Sequence, residues 1–125
     1  MYEYTDVSFG YDENNQEIKE KYVLFKKRPT KRELDNLPIT KVYIENCKKL
    51  YKYFKTSKIT HLKFGHDFNQ PVDFLPSSLE ELVILNDNYS QDLNNLPVSL
   101  KKLKVRKLYK GQILLPKDCV LEKIE

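Results

Sequence analysis

Tryptophan and alanine are absent from the 125-residue chain, and only three glycines, two cysteines and one methionine occur. Three scattered glycines do not form the Gly-rich loop that cradles phosphates, so a nucleotide-binding motif is not indicated. No apolar run approaches the ~18 residues of a membrane-spanning helix. The first residues have neither the basic nor the apolar region of a signal peptide. We therefore expect an intracellular protein in which Cys47 and Cys119 are reduced.

The composition is that of one ordinary globular domain, with 40% apolar and 32% charged residues. Lys and Arg number 22 against 18 Asp and Glu, which gives a net charge of +4. Lysine supplies most of the positive charge, and Asn, Tyr and Ile are common, as in proteins from AT-rich genomes. The mild excess of positive charge is therefore weak evidence for a nucleic-acid partner.

An apolar pattern recurs every 20 or 21 residues from Ile39 onward. Its copies are Ile39-x-x-Val42-x-Ile44, Ile59-x-x-Leu62-x-Phe64, Leu79-x-x-Leu82-x-Ile84, Leu100-x-x-Leu103-x-Val105 and Leu121-x-x-Ile124. Such a period is typical of stacked repeats that share a core with their neighbours. Within a copy, apolar residues two apart lie on one face of a strand. The sequence predicts an α/β-type repeat solenoid, a short leucine-rich-repeat-like stack with a parallel sheet.

The first 28 residues have a different pattern. Val7 to Tyr11 and Tyr22 to Phe25 read as strands separated by a polar turn, so a β-hairpin is predicted over residues 1–28. Tyr22 precedes Val42 by 20 residues, so the second hairpin strand is expected to be the first strand of the stack. We expect the hairpin to cap the repeats of residues 29–125 within a single domain. Thr30 and Glu33 form a capping-box pattern for a short helix that ends before Pro38.

Leu-Pro pairs precede the later copies, and one copy carries a family signature. The run Phe68-Asn69-Gln70-Pro71 followed by Leu75-Pro76 resembles the FNIP repeat, a leucine-rich-repeat relative abundant in giant DNA viruses and slime-mould amoebae. Tyr89 holds the signature position in the next copy. The resemblance implies that Phe68 and Tyr89 fill the convex side of the core and that Asn69 hydrogen-bonds turn backbone. It also implies a viral protein with a host partner, although residues 1–28 do not resemble the helical F-box of some viral members.

No combination of side chains indicates catalysis. His61 is expected to face away from the core and His66 to lie in the following loop, so they do not form a metal site with Asp67. Cys47 holds a position where leucine-rich repeats bury a small residue, which favours a packed thiol. We expect a protein without enzymatic activity, cofactor or metal.

The remaining candidate is the outward face of the sheet, where repeat proteins commonly bind partners. Its predicted partner-binding residues are Lys41, Tyr43, Glu45, His61, Lys63, Glu81, Val83, Leu85, Lys102, Lys104, Arg106 and Lys123. A protein partner is expected, and no membrane. Two alternatives remain. One is nucleic-acid binding through a basic patch of Lys102, Lys104, Arg106, Lys107 and Lys110 with Tyr109. The other is a homodimer formed through the end strand, Leu121 to Glu125.

Overall fold

The computed structural model describes residues 2–125, with the backbone alone at residues 8–10, and contains one sheet of seven strands in chain order. The strands are β1 (Glu3–Tyr11), β2 (Glu17–Phe25), β3 (Lys41–Ile44), β4 (His61–Phe64), β5 (Glu81–Ile84), β6 (Lys102–Arg106) and β7 (Val120–Ile124). The β1 and β2 strands are antiparallel, and each later strand adds in parallel to the one before it. The predicted stack with an N-terminal hairpin is confirmed.

Polar residues form the turn of the hairpin. A side-chain oxygen atom there accepts hydrogen bonds from backbone N–H groups, in place of the backbone carbonyls of a neighbouring strand. Asp12 accepts hydrogen bonds from the backbone N–H groups of Asn14 and Gln16 through its side chain. Asn15 has φ of 60°, a left-handed conformation that Asn tolerates better than most residues. The turn therefore reverses the chain without a glycine.

From β2 onward, one inward-facing residue of each strand is paired with the corresponding residue of the next strand. The aligned residues are Val23, Val42, Leu62, Leu82, Leu103 and Leu121. Their spacings are 19, 20, 20, 21 and 18 residues, so the predicted period holds in the middle and is wrong at both ends. At the start, Val23 and not Tyr22 aligns with Val42, which turns Tyr22 to the outward face.

The last strand departs further from the predicted alignment, because Leu121 and not Ile124 lies beside Leu103. The turn that precedes each strand explains the difference. The N–H of Leu100 donates to the carbonyl of Pro97, and the N–H of Cys119 donates to that of Pro116. Cys119 therefore occupies the position of Leu100, and the strand starts one residue sooner after it.

The inward side chains form one continuous core between the sheet and the returning loops. Among residues 2–125, helical structure is limited to α1 (Lys31–Asp35) and a 3₁₀ helix (Lys52–Phe54). The predicted capping box is present, because Thr30 accepts from the N–H of Glu33 and the Glu33 carboxylate accepts from the N–H of Thr30. The other convex-side segments are irregular loops held by side chains.

Aromatic rings stack along the convex side of the core. Phe64 and Phe68 are parallel with ring centroids 3.8 Å apart, and Tyr89 and Tyr109 continue the row at 5.9 and 5.8 Å. Each tyrosine hydroxyl donates to a carbonyl of the preceding turn, Tyr89 to Gln70 and Tyr109 to Gln91. The core-filling role expected for Phe68 and Tyr89 is confirmed, and the hydroxyls add a polar link between turns.

Candidate functional site: the outward face of the sheet

Eleven of the twelve predicted partner-binding residues lie on or directly beside the outward face. Their side chains alternate with the buried inward positions of β3–β6. All eleven are half-buried except Val83, which is only 8% exposed. These residues are Lys41, Tyr43, Glu45, His61, Lys63, Glu81, Val83, Leu85, Lys102, Lys104 and Arg106.

Lys123 was placed on this face by the wrong alignment of β7. It lies beside Val105, whose side chain is in the core, and so belongs to the inward side. Its ammonium donates to the carbonyl of Tyr109 and lies 5.7 Å from that ring's centroid. Glu122 occupies the outward position instead and forms an ion pair with Lys104 at 3.7 Å.

Part of the outward face is covered by the N-terminal hairpin. Val7 and Tyr22 are 7% and 2% exposed, yet both lie outside the main core. They line a cavity of about 270 Å³ together with side chains of the later strands. The remaining lining residues are Lys63, Glu81, Val83, Leu85, Lys104 and Ile124. The hairpin therefore closes over this face in addition to extending the sheet.

The lengths of the strands in the structure account for this cover. Each hairpin strand has nine residues, whereas β3–β5 have four, so half of the hairpin must extend beyond the parallel ladder. The sequence does not predict the direction in which this half of the hairpin extends. Lys41 of β3 forms an ion pair with Glu20 of β2, in the half that extends beyond the ladder.

Partial desolvation shapes the charges around the cavity. Burial lowers the pKa of Lys63, and the nearby Lys104 ammonium lowers it further, while Glu81 opposes both. Burial raises the pKa of Tyr22, with a further contribution from Glu81. The Lys63 ammonium also lies 5.5 Å from the centroid of the Tyr43 ring. The cavity thus combines an apolar floor with charges of both signs.

The cations of the predicted C-terminal basic patch are largely paired. Arg106 contacts Asp87 at 2.6 Å, Lys107 contacts Glu125 at 3.0 Å, and Lys104 contacts Glu122. Tyr109 is 7% exposed and lies within the aromatic row. The patch therefore presents less free positive charge than its sequence indicates.

The remaining polar side chains lie as expected from the sequence. His61 faces outward and pairs with the hydroxyl of Thr60 at 2.9 Å, and His66 is exposed in the following turn. Cys47 is a buried free thiol whose pKa is raised by burial. Within the described part of the chain, no three His, Cys, Asp or Glu side chains are grouped to hold a metal ion. None of the described helices is long and apolar enough to cross a bilayer.

The family comparison agrees with this arrangement of turns. The family model of the FNIP repeat matches residues 35–87, the stretch from the last residue of α1 through β5. Residues 35–87 therefore carry the FNIP repeat pattern. No curated protein and no solved structure matches the chain. In the matched stretch, the FNIP asparagine Asn69 accepts from the backbone N–H of Ser90, so it hydrogen-bonds turn backbone as the resemblance implied, and the bonded residue belongs to the next turn.

Proposed function

We propose that this protein is a non-enzymatic interaction module that binds another protein through the outward face of its sheet. The observation that carries the proposal is the cavity on this face. Apolar side chains of Val83, Leu85 and Ile124 lie there beside the charged Lys63 and Lys104. An apolar centre with a charged rim is the usual anatomy of a protein interface.

The composition of the cavity indicates what a partner must offer. An apolar side chain of the partner would contact Val83 and Leu85, and a carboxylate would approach Lys63 and Lys104. An anionic partner group beside Lys63 would favour its charged form and so oppose the lowering of its pKa by burial. The two free thiols support an intracellular setting, and the partner would be a host protein if the source is viral.

Affinity capture with matched variants tests the proposal. The tagged wild type would be compared with a face variant carrying Tyr43→Ala, Lys63→Glu and Lys104→Glu. A control variant with Thr56→Ala, Lys55→Glu and Lys58→Glu makes the same changes of charge at exposed positions on the convex side. An amoeba lysate suits the family resemblance, and each captured protein would be identified by mass spectrometry.

We expect a protein that is captured by the wild type and the control and lost with the face variant. Circular dichroism must show that all three proteins are folded. Equal capture by the wild type and the face variant would exclude this face as the binding surface. Loss with the control variant alone would place the interface on the convex side.

A further inference from the structure

A second surface carries positive charge that no carboxylate of the described residues neutralises through an ion pair. It lies at the end of the sheet where the chain leaves β2 and β3, and it surrounds one exposed ring, Tyr51. We call it the Tyr51 patch, and its members are Lys27, Arg28, Lys48, Lys49, Tyr51 and Lys52. Tyr51 is 40% exposed, and the four lysines are exposed.

Two loops are joined at this patch. The N–H of Glu45 donates to the carbonyl of Phe25, so the segments that follow β2 and β3 start side by side. The Arg28 guanidinium carbon lies 3.9 Å from the centroid of the Tyr51 ring, and the Lys49 ammonium lies 5.7 Å from it. The Tyr53 hydroxyl donates to the carbonyl of Pro29, which fixes the second loop against the first. Arg28 and Lys49 are therefore neighbours in space, and Lys27, Lys48 and Lys52 adjoin them or Tyr51 in the sequence.

The patch differs from the other basic residues of the chain in its lack of counter-charges. Lys26 at its margin pairs with Glu3, and α1 pairs Lys31 with Asp35. Within the described residues, no member of the Tyr51 patch forms an ion pair with a carboxylate. Codon bias can enrich a chain in lysine, but it does not bring cations of two different loops, Arg28 and Lys49, to one tyrosine ring.

We propose that the Tyr51 patch binds single-stranded nucleic acid. Non-specific single-strand sites combine cations that contact phosphates with an aromatic ring on which a base stacks. Here the Arg28 guanidinium already lies over the Tyr51 ring, so a cation for phosphate and an aromatic surface for a base occur together. With five cations, the patch could contact about three to five phosphates.

The surroundings of the patch favour nucleic acid over a lipid surface. A peripheral membrane site adds apolar side chains that enter the acyl region. The exposed large aliphatic residues of the described chain all lie outside the segments 26–28 and 48–52. They are Ile18, Val98, Leu108, Leu114, Leu115 and Val120.

Fluorescence anisotropy with labelled dT12 and U12 oligonucleotides would measure the binding. For about three phosphate contacts, the logarithm of affinity should fall with the logarithm of salt concentration with a slope of about −2. The variant Lys48→Glu, Lys49→Glu, Lys52→Glu should bind at least about tenfold more weakly. Tyr51→Ala should lose about tenfold through the missing stacking interaction, and Tyr51→Phe should bind like the wild type.

The control variant Lys101→Glu, Lys110→Glu, Lys117→Glu changes the net charge by the same amount at exposed lysines outside the patch. It should retain affinity within about threefold. The proposal is wrong if the wild type binds neither oligonucleotide at 50 mM salt, or if both triple variants weaken binding equally. Binding to phosphatidylserine vesicles without binding to either oligonucleotide would also overturn it.

Discussion

Gly65 lies where two neighbouring turns approach most closely. Its N–H donates to the carbonyl of Ile44, and a Cβ atom at this position would lie 2.5 Å from the carbonyl oxygen of Glu45. That oxygen belongs to the backbone of the preceding turn, so it can move only if the turn moves. Only a residue without a side chain fits between β4 and the loop that follows.

Gly65→Ala is expected to destabilise the protein by about 2 kcal/mol, as overpacking of a rigid site commonly does. Urea unfolding would measure the loss. Gly111→Ala is a useful comparison, because its added methyl would meet the buried ring of Tyr109, whose hydroxyl donates to the carbonyl of Gln91. It should also destabilise the protein, since the ring can move aside only by giving up that hydrogen bond. Equal stability of Gly65→Ala and the wild type would show that the two turns are not held this closely.

The buried tyrosine hydroxyls predict a loss of stability at alkaline pH. Burial raises the pKa values of Tyr22 and Tyr89 above the ordinary value of 10.0. Above that pH the unfolded chain loses protons that the folded chain keeps, so their contribution is present below pH 10 and falls as pH rises. Each tyrosine should lower the free energy of unfolding by about 1.4 kcal/mol per pH unit.

The variant Tyr89→Phe isolates one of these contributions. It removes the hydrogen bond to Gln70, which should cost about 1 kcal/mol at neutral pH. Between pH 10 and 11.5 its stability should fall less steeply than that of the wild type. Urea unfolding over this range measures both slopes, and identical slopes would contradict the raised pKa of Tyr89.

Among the elements, the turn before each strand determines where that strand starts. Ser78 and Ser99 lie two residues after a proline, and each hydroxyl donates to a carbonyl of the preceding turn. The third residue after the proline is then the first residue of that repeat whose side chain points into the core. Counting from Pro116 correctly places Cys119 at the position of Leu100, but β7 then starts one residue sooner, so Leu121 and not Glu122 lies beside Leu103. The apolar spacing of Leu121 and Ile124, taken alone, gave the wrong alignment.

A pair of cysteines can test the alignment of β7. Lys104 and Glu122 are neighbours in the ladder, and parallel strands are ~4.8 Å apart, within the Cα range of disulfides. With Cys119→Ser to remove the nearby thiol, Lys104→Cys with Glu122→Cys should oxidise readily within one molecule. Lys104→Cys with Glu125→Cys should oxidise poorly. The reverse result, read by mass spectrometry, would support the 21-residue step.

Periodicity was enough to predict the strands, because the core position of β3–β6 is apolar in every turn. The capping box of α1 and the core positions of Phe68 and Tyr89 were also predicted, since each depends on contacts local to a turn or on its repeat. The outward position of Tyr22 was not predicted, because a shift of one residue in the pairing of β2 with β3 exchanges the two faces of the strand. The aligned Val23 was an equally apolar alternative.

Across the whole molecule, the cover of the outward face depends on contacts that are distant in sequence. Tyr22 and Ile124 line the same cavity although 102 positions separate them. No repeat pattern indicates that the hairpin lies over the later strands. The sequence therefore predicted a more exposed face than the structure has. For the same reason, the unpaired charge of the Tyr51 patch was hidden within a lysine-rich composition.

Stability should be unequal along the stack because, within the core, each turn packs against its neighbours and the end turn has one neighbour fewer. Leu82 is fully buried in β5 between Leu62 and Leu103, so Leu82→Ala should cost about 3 kcal/mol. Leu121 in β7 is only partly buried, and Leu121→Ala should cost about 1 kcal/mol. Urea unfolding of the two variants compares them directly. Equal costs would contradict an end turn that is less tightly packed than the centre.

Nuclear Overhauser effects in the folded protein would test the whole arrangement most directly. Contacts between neighbouring strands should relate Val23 to Val42 and Leu103 to Leu121, and the Tyr22 ring should contact methyl groups of the outward face such as those of Val83. Those contacts would establish the parallel stack and its covered face together. A ring of Tyr22 in contact only with water, or Ile124 beside Leu103, would contradict the structure on which both proposed surfaces depend.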